Sequence, residues 1–143
     1  MTRIGEGIAL RQQGDAPAAR ALFEQVWADL SPDGDALHRC ALAHSMADVQ
    51  DDPQDELRWD LRALDAAQEL TDERVGDATA ATSARAFLPS LHLNLADVYL
   101  RLDRHDAAGE HVTSATAALE ALPRDGYREM IEQGLARVRD ELG

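Results

Sequence analysis

Apolar residues recur at intervals of three and four from one end of this chain to the other, and nowhere do apolar and polar residues alternate for the length a strand needs. A chain with that single periodicity can bury its apolar side chains only as helices packed on helices, so the expected fold class is all-α. Composition points the same way. Hydrophobic residues make up 45% of the chain and aromatic ones only 4%. The interior must therefore be filled by Ala, Leu and Val, with Phe23, Trp27, Trp59, Phe87 and Tyr99 as sparse large pieces. Ala and Leu lead the helix propensities, whereas the residues strands favour are few. At 143 residues the chain fits a single domain spanning 1–143 and is long enough to enclose its own core.

Breakers cut the pattern into helices. The first runs from about Ile4 to Gln12 and stops at Gln13-Gly14-Asp15, where Gly14 serves as C-terminal cap and Asp15 as N-cap of the next. A second helix, about 17–30, ends at Ser31-Pro32-Asp33-Gly34. A third, about 35–49, is followed by Gln50-Asp51-Asp52-Pro53. There Asp52 is a natural N-cap, and Pro53 stands at the first helical position, where its missing N–H costs nothing. The fourth helix covers about 53–70, the fifth about 89–102 and the sixth about 106–122, the last two separated by Asp103-Arg104-His105. After Pro123-Arg124-Asp125-Gly126 a final amphipathic helix, 126–142, carries Met130, Ile131, Leu135, Val138 and Leu142 on one side. The stretch 71–88 is too long for a structureless connection and is expected to contain an extra helix.

Three helix–turn–helix units emerge, about 1–32, 35–70 and 89–122, and they superimpose at their turns. Gly7, Leu10, Gly14, Ala19, Phe23 and Val26 in the first recur as Ala96, Tyr99, Asp103, Ala108, Val112 and Ala115 in the third. Ala43, Met46 and Gln50 match the first half of the pattern in the second unit. Its other half, Glu56-Leu57-Arg58-Trp59 through Ala63-Leu64, matches after a one-residue insertion at the turn. This arrangement resembles the tetratricopeptide repeat, and the long second unit is similar to the extended repeats of the kinesin light chain. Small residues sit where paired helices touch, large ones fill between them, and the turn needs a flexible residue. The resemblance implies a right-handed stack of about three repeats, with 126–142 as a capping helix and the first helix of each pair lining a concave groove.

Placed on a helical wheel, the residues about 100° from the core stripe of those first helices should face the groove. They are Ile4, Ile8, Arg11 and Gln12 in the first unit, Leu37, Cys40, His44 and Asp48 in the second, and Leu93, Asp97 and Arg101 in the third. Apolar ribs with isolated charges suit a protein or peptide segment with a few apolar anchors. Asp97 and Arg101 also have the i, i+4 spacing of an ion pair. Some tetratricopeptide proteins grip a peptide carboxylate with Lys, Asn and Arg. Here all 14 basic residues are Arg, and His44, Asp48 and Asp97 supply the wrong charge, so no such clamp is expected.

The net charge of −13 argues against nucleic acid and anionic membrane surfaces and favours a basic partner. Cys40 is the sole cysteine, and no leader-like or membrane-spanning apolar run is present, so the expected location is cytoplasmic. Cys40, His44 and Asp48 place a thiol, an imidazole and a carboxylate along one helix, which keeps a metal- or thiol-dependent site open as an alternative, with His92 as the nearest further ligand. No phosphate loop, nucleophile elbow or recognised metal spacing accompanies them, so neither an enzyme nor a cofactor is expected. A structural homodimer, formed through the terminal helix or 71–88, is the other alternative to a binding module.

Overall fold

The computed structural model describes residues 2–30, 36–71 and 78–143. Every regular element among them is helical. They are α1 (Thr2–Gln12), α2 (Ala16–Asp29), α3 (Ala36–Ala47), α4 (Pro53–Thr71), α5 (Ala78–Arg101), α6 (His105–Ala118), a 3-10 turn at Leu119–Ala121, and α7 (Gly126–Leu142). The expected stop at Ser31-Pro32-Asp33-Gly34 lies outside the described residues, as do 72–77 of the connecting insertion. The extra helix expected in that insertion is not a separate element. It is the first half of α5, which runs on through Pro89 instead of starting there. An interior proline removes one helical hydrogen bond and costs about 3 kcal/mol. Pro89 is itself buried, and Leu91 and Leu95 just beyond it are fully enclosed, so the apolar face of a continuous helix offsets that cost.

The chain divides into two compact units, 1–66 and 67–143, with the boundary inside α4. In the N-terminal unit α2 runs back along α1, so that Arg3 near the start of α1 reaches Asp29 at the end of α2 across 2.6 Å. The two backbones approach closely because Gly7 has no side chain. The fully buried Phe23 ring fills the space, and a methyl on Gly7 would run into its Cε1, Cζ and Cδ1. Phe23, Ile4, Ala19, Val26, Leu42, Met46 and Val49 form one core. Trp27 and Trp59 close its edge as a perpendicular pair with centroids 4.9 Å apart. The Arg62 guanidinium lies 4.4 Å from the Trp59 centroid and 5.7 Å from that of Trp27, a geometry that adds cation–π attraction.

In the C-terminal unit α5 and α6 pair in the same manner through the fully buried small residues Ala96, Ala108 and Ala115. The face of α7 formed by Ile131, Gly134, Leu135 and Val138 covers both, joining Leu100, Val112, Leu119 and Leu122 in a second core. Within this unit α7 is the cap expected from the sequence.

The turns follow one rule twice. Gly14 has φ 87° and Asp103 has φ 58°, both in the left-handed region. At each, the turn residue's N–H donates three residues back (Gly14 to Arg11, Asp103 to Leu100), and the next N–H donates five residues back (Asp15 to Leu10, Arg104 to Tyr99). This is the Schellman arrangement, which satisfies the last carbonyls of the first helix while reversing the chain. Asp103 therefore does the work of Gly14. Among the described residues the α3–α4 turn has no such residue; its Val49 and Gln50 amides donate three residues back to Met46 and Ala47, and side chains supply further donors. Gln50 Nε2 donates to the Met46 carbonyl at 3.0 Å, and Arg20 of α2 donates to the Val49 carbonyl through Nε at 3.1 Å and Nη2 at 2.8 Å. The expected caps Asp15 and Asp52 are in place, accepting from the Ala18 and Gln54 amides.

Two pairs of variants test these assignments by urea unfolding. Gly14→Ala should lose about 1 kcal/mol and Asp103→Gly gain a similar amount, because a left-handed residue with a Cβ costs roughly 1–2 kcal/mol. Gly7→Ala should be destabilised by about 1–3 kcal/mol through overpacking against the immovable Phe23 ring. Gly134→Ala should lose less. The atom it meets, Leu93 Cδ2 at 2.7 Å, ends a flexible side chain that can move aside.

Candidate functional site

The candidate groove residues separate into three groups once burial is known. Ile4 and Cys40 are removed from any binding face. Ile4 is buried in the N-terminal core and Cys40 is fully enclosed. The reason lies in how many sides of each helix are covered. On α3, buried Cys40, Leu42, Ala43, Ser45, Met46 and Ala47 leave only a narrow strip uncovered, and Cys40 sits on the covered side of it.

Ile8 and Leu93 are half-buried and pack against the two cores, Leu93 against Gly134 of α7. Both were expected to project freely from their helices. The remaining residues stay accessible. Arg11, Gln12 and Asp48 are exposed, and Leu37 and His44 are half-buried. On the 100° wheel Leu37, Ala41, His44 and Asp48 fall within about 60° of one another, and Cys40 lies about 40° beyond the His44 edge. Ala41, half-buried, is the residue of this strip that the first placement missed. The spacing 37, 41, 44, 48 was its available signal.

Within the N-terminal unit α1 touches α3, so Ile8, Arg11 and Gln12 lie on a helix neighbouring the one that carries this strip. In the C-terminal unit Asp97 and Arg101 form the i, i+4 ion pair expected from their spacing, with Nη2 and Nε of Arg101 at 3.1 and 3.2 Å from Asp97 Oδ2. On an exposed helix face that is worth a few tenths of a kcal/mol.

The thiol alternative fails on burial. A nucleophilic or metal-binding cysteine needs its thiolate, and desolvation pushes the Cys40 thiol up to about 11. Asp48 meanwhile is exposed, so the three side chains do not converge. Among the described residues no group of three or more His, Cys, Asp or Glu side chains is gathered that could hold a metal ion. His105 is exposed, whereas His111 is half-buried against Tyr99 and His92. Asp60, by contrast with the other described acidic residues, is buried on α4. Cys40 should accordingly resist a thiol reagent in the folded chain. On its raised pKa alone the reaction should be about 100-fold slower than in urea. Equal rates in the two states would place the thiol on the surface.

No helix among the described residues is long and apolar enough to cross a membrane. No curated protein and no solved structure matches the chain. Residues 1–25 and 89–112 match the family model described as Tetratricopeptide repeat. The matched segments coincide with α1–α2 and with the second half of α5 together with much of α6, the two pairs that share the Schellman turn. The pair α3–α4 falls outside the matched residues. Proteins of this family mediate protein–protein interaction, and these two matches, with the helical pairs that underlie them, identify both pairs as tetratricopeptide repeats.

Proposed function

We propose that the chain is a non-enzymatic, cytoplasmic binding module that takes a protein or peptide segment along the first helices of its repeats. The carrying observation is the accessible strip Leu37, Ala41, His44 and Asp48 on α3, beside Ile8, Arg11 and Gln12 on the neighbouring α1. Half-buried apolar residues between exposed polar ones offer shallow anchor points for apolar side chains and hydrogen-bonding groups around them. Within the C-terminal unit Asp97 and Arg101 offer polar positions of their own on α5. The net charge of −13 supports a segment rich in Lys and Arg, and it disfavours nucleic acid and anionic lipid as occupants. A homodimer through α7 is a second reading, favoured by Met130 and Tyr127, whose side chains remain 60% and 40% exposed on that helix.

Panning a random peptide library against the full chain, then titrating the enriched peptides, tests the first reading. Basic peptides with one or two apolar residues are expected. Gln12→Arg combined with Asp48→Arg, both at exposed positions, should weaken them at least tenfold, about 1.4 kcal/mol, without moving the unfolding midpoint. Undiminished binding would remove the α1–α3 face from consideration. Sedimentation of the same material reads the dimer separately, since Met130→Glu should dissociate a dimer built on α7 and leave a monomer unchanged.

A further inference from the structure

His92 of α5 and His111 of α6 face each other across the helical pair with their Nδ1 atoms 3.0 Å apart. Their ring centroids are 5.2 Å apart and their planes differ by 29°. The centroids are thus farther apart than the nitrogens by about two centre-to-nitrogen distances of an imidazole, so the nitrogens point at each other along the line of centres. That is the geometry of an N–H···N hydrogen bond, in which one ring donates from Nδ1 and the other accepts. It is not the geometry of chelation, which needs both lone pairs to converge on a point beside that line. Tyr99 completes the cluster, lying nearly parallel to His111 with centroids 5.5 Å apart and planes differing by 11°.

The repeat framework does not require this pair. Under the alignment that equates Gly7 with Ala96 and Phe23 with Val112, His92 and His111 stand where the first pair has Arg3 and Leu22. There Arg3 pairs with Asp29 in an exposed ion pair, so the first pair closes at that level without facing imidazoles.

We propose that His92 and His111 form an acid-sensitive latch between α5 and α6, closed near neutral pH by one proton shared between two neutral rings and released once each ring has taken up one more. With both rings charged, both Nδ1 atoms become donors, the hydrogen bond is lost, and two like charges remain at contact distance in a half-buried position.

The surroundings offer little to offset them. Tyr99 contributes a neutral ring from α5. On α6 Glu110 is exposed beside His111 and draws it toward the charged form, against burial. α7, packed on both helices, meets α5 at Gly134 and α6 at Arg139, which donates to the Thr116 hydroxyl at 2.6 Å and carries positive charge. Burial, aided by His111, holds His92 down at about 4, and burial lowers His111 as well. Both folded-state values therefore lie under the unfolded value near 6.5. As pH falls from about 6.5 toward 4, the unfolded chain binds more protons than the folded one, and stability declines through that window. Above it the latch is intact.

The test is a 15N titration of the imidazoles in the wild-type chain, paired with urea unfolding between pH 7.5 and 4.5. One protonated and one bare Nδ1 are expected at neutral pH, with both rings titrating below the ordinary imidazole value. The pH slope should correspond to between about one and two protons taken up on unfolding. His92→Asn with His111→Asn keeps a hydrogen-bonding group near each Nδ1 and should lose that part of the slope. Titration of either ring at the ordinary value, or an unchanged slope in the double variant, would overturn the latch. Zinc that shifts both imidazole signals at one equivalent would replace it with a metal site. If the variant does not fold, the wild-type titration decides alone.

Discussion

Two helices can pair antiparallel at close range only if the chain between them reverses within a few residues and one helix is thin where the other presses on it. Both conditions are met twice here. Gly14 and Asp103 adopt the left-handed backbone that ends a helix and returns the chain. Gly7 admits the Phe23 ring, and Ala96, Ala108 and Ala115 keep α5 and α6 close. Both cores rest on this. Ile4, Val26 and Met46 reach Phe23 because α2 already lies along α1, and α7 finds a continuous apolar surface because α5 and α6 already present one.

The middle turn shows what happens when the left-handed residue is missing. The carbonyls at the end of α3 are met in part by the turn's own amides, and the remaining donors come from the Gln50 side chain and from Arg20, which belongs to another helix. A turn closed by its own backbone is a local property, whereas one closed by Arg20 exists only when α2 and α3 are packed. The first and third pairs are accordingly the ones whose local pattern is complete, and the family match falls on them.

Burial also decides which chemistry is available. Along α3 a thiol, an imidazole and a carboxylate look equivalent on paper, yet one is enclosed and unreactive, one half-covered and one in solvent. What remains accessible on α3 is the strip Leu37, Ala41, His44 and Asp48. The polar chemistry that the fold does enclose lies elsewhere, at His92 and His111, where a proton is held between two helices.

The sequence by itself determined the all-α class, the helical order, the caps Asp15 and Asp52, and the equivalence of Gly14 with Asp103. Each of these depends on residues within a few positions of one another, through periodicity, capping or turn conformation. Tertiary structure decided the rest. Pro89 lies within a helix and not at its start because burial of the flanking leucines outweighs a lost hydrogen bond. Cys40 and Ile4 are core residues because α3 and α1 are covered on more sides than a single apolar stripe implies. His111 is an inward group because α5 places His92 opposite it, nineteen residues away in sequence. A wheel drawn for one helix gives the direction of a side chain; only the neighbouring helices determine whether that direction leads to solvent or to another side chain.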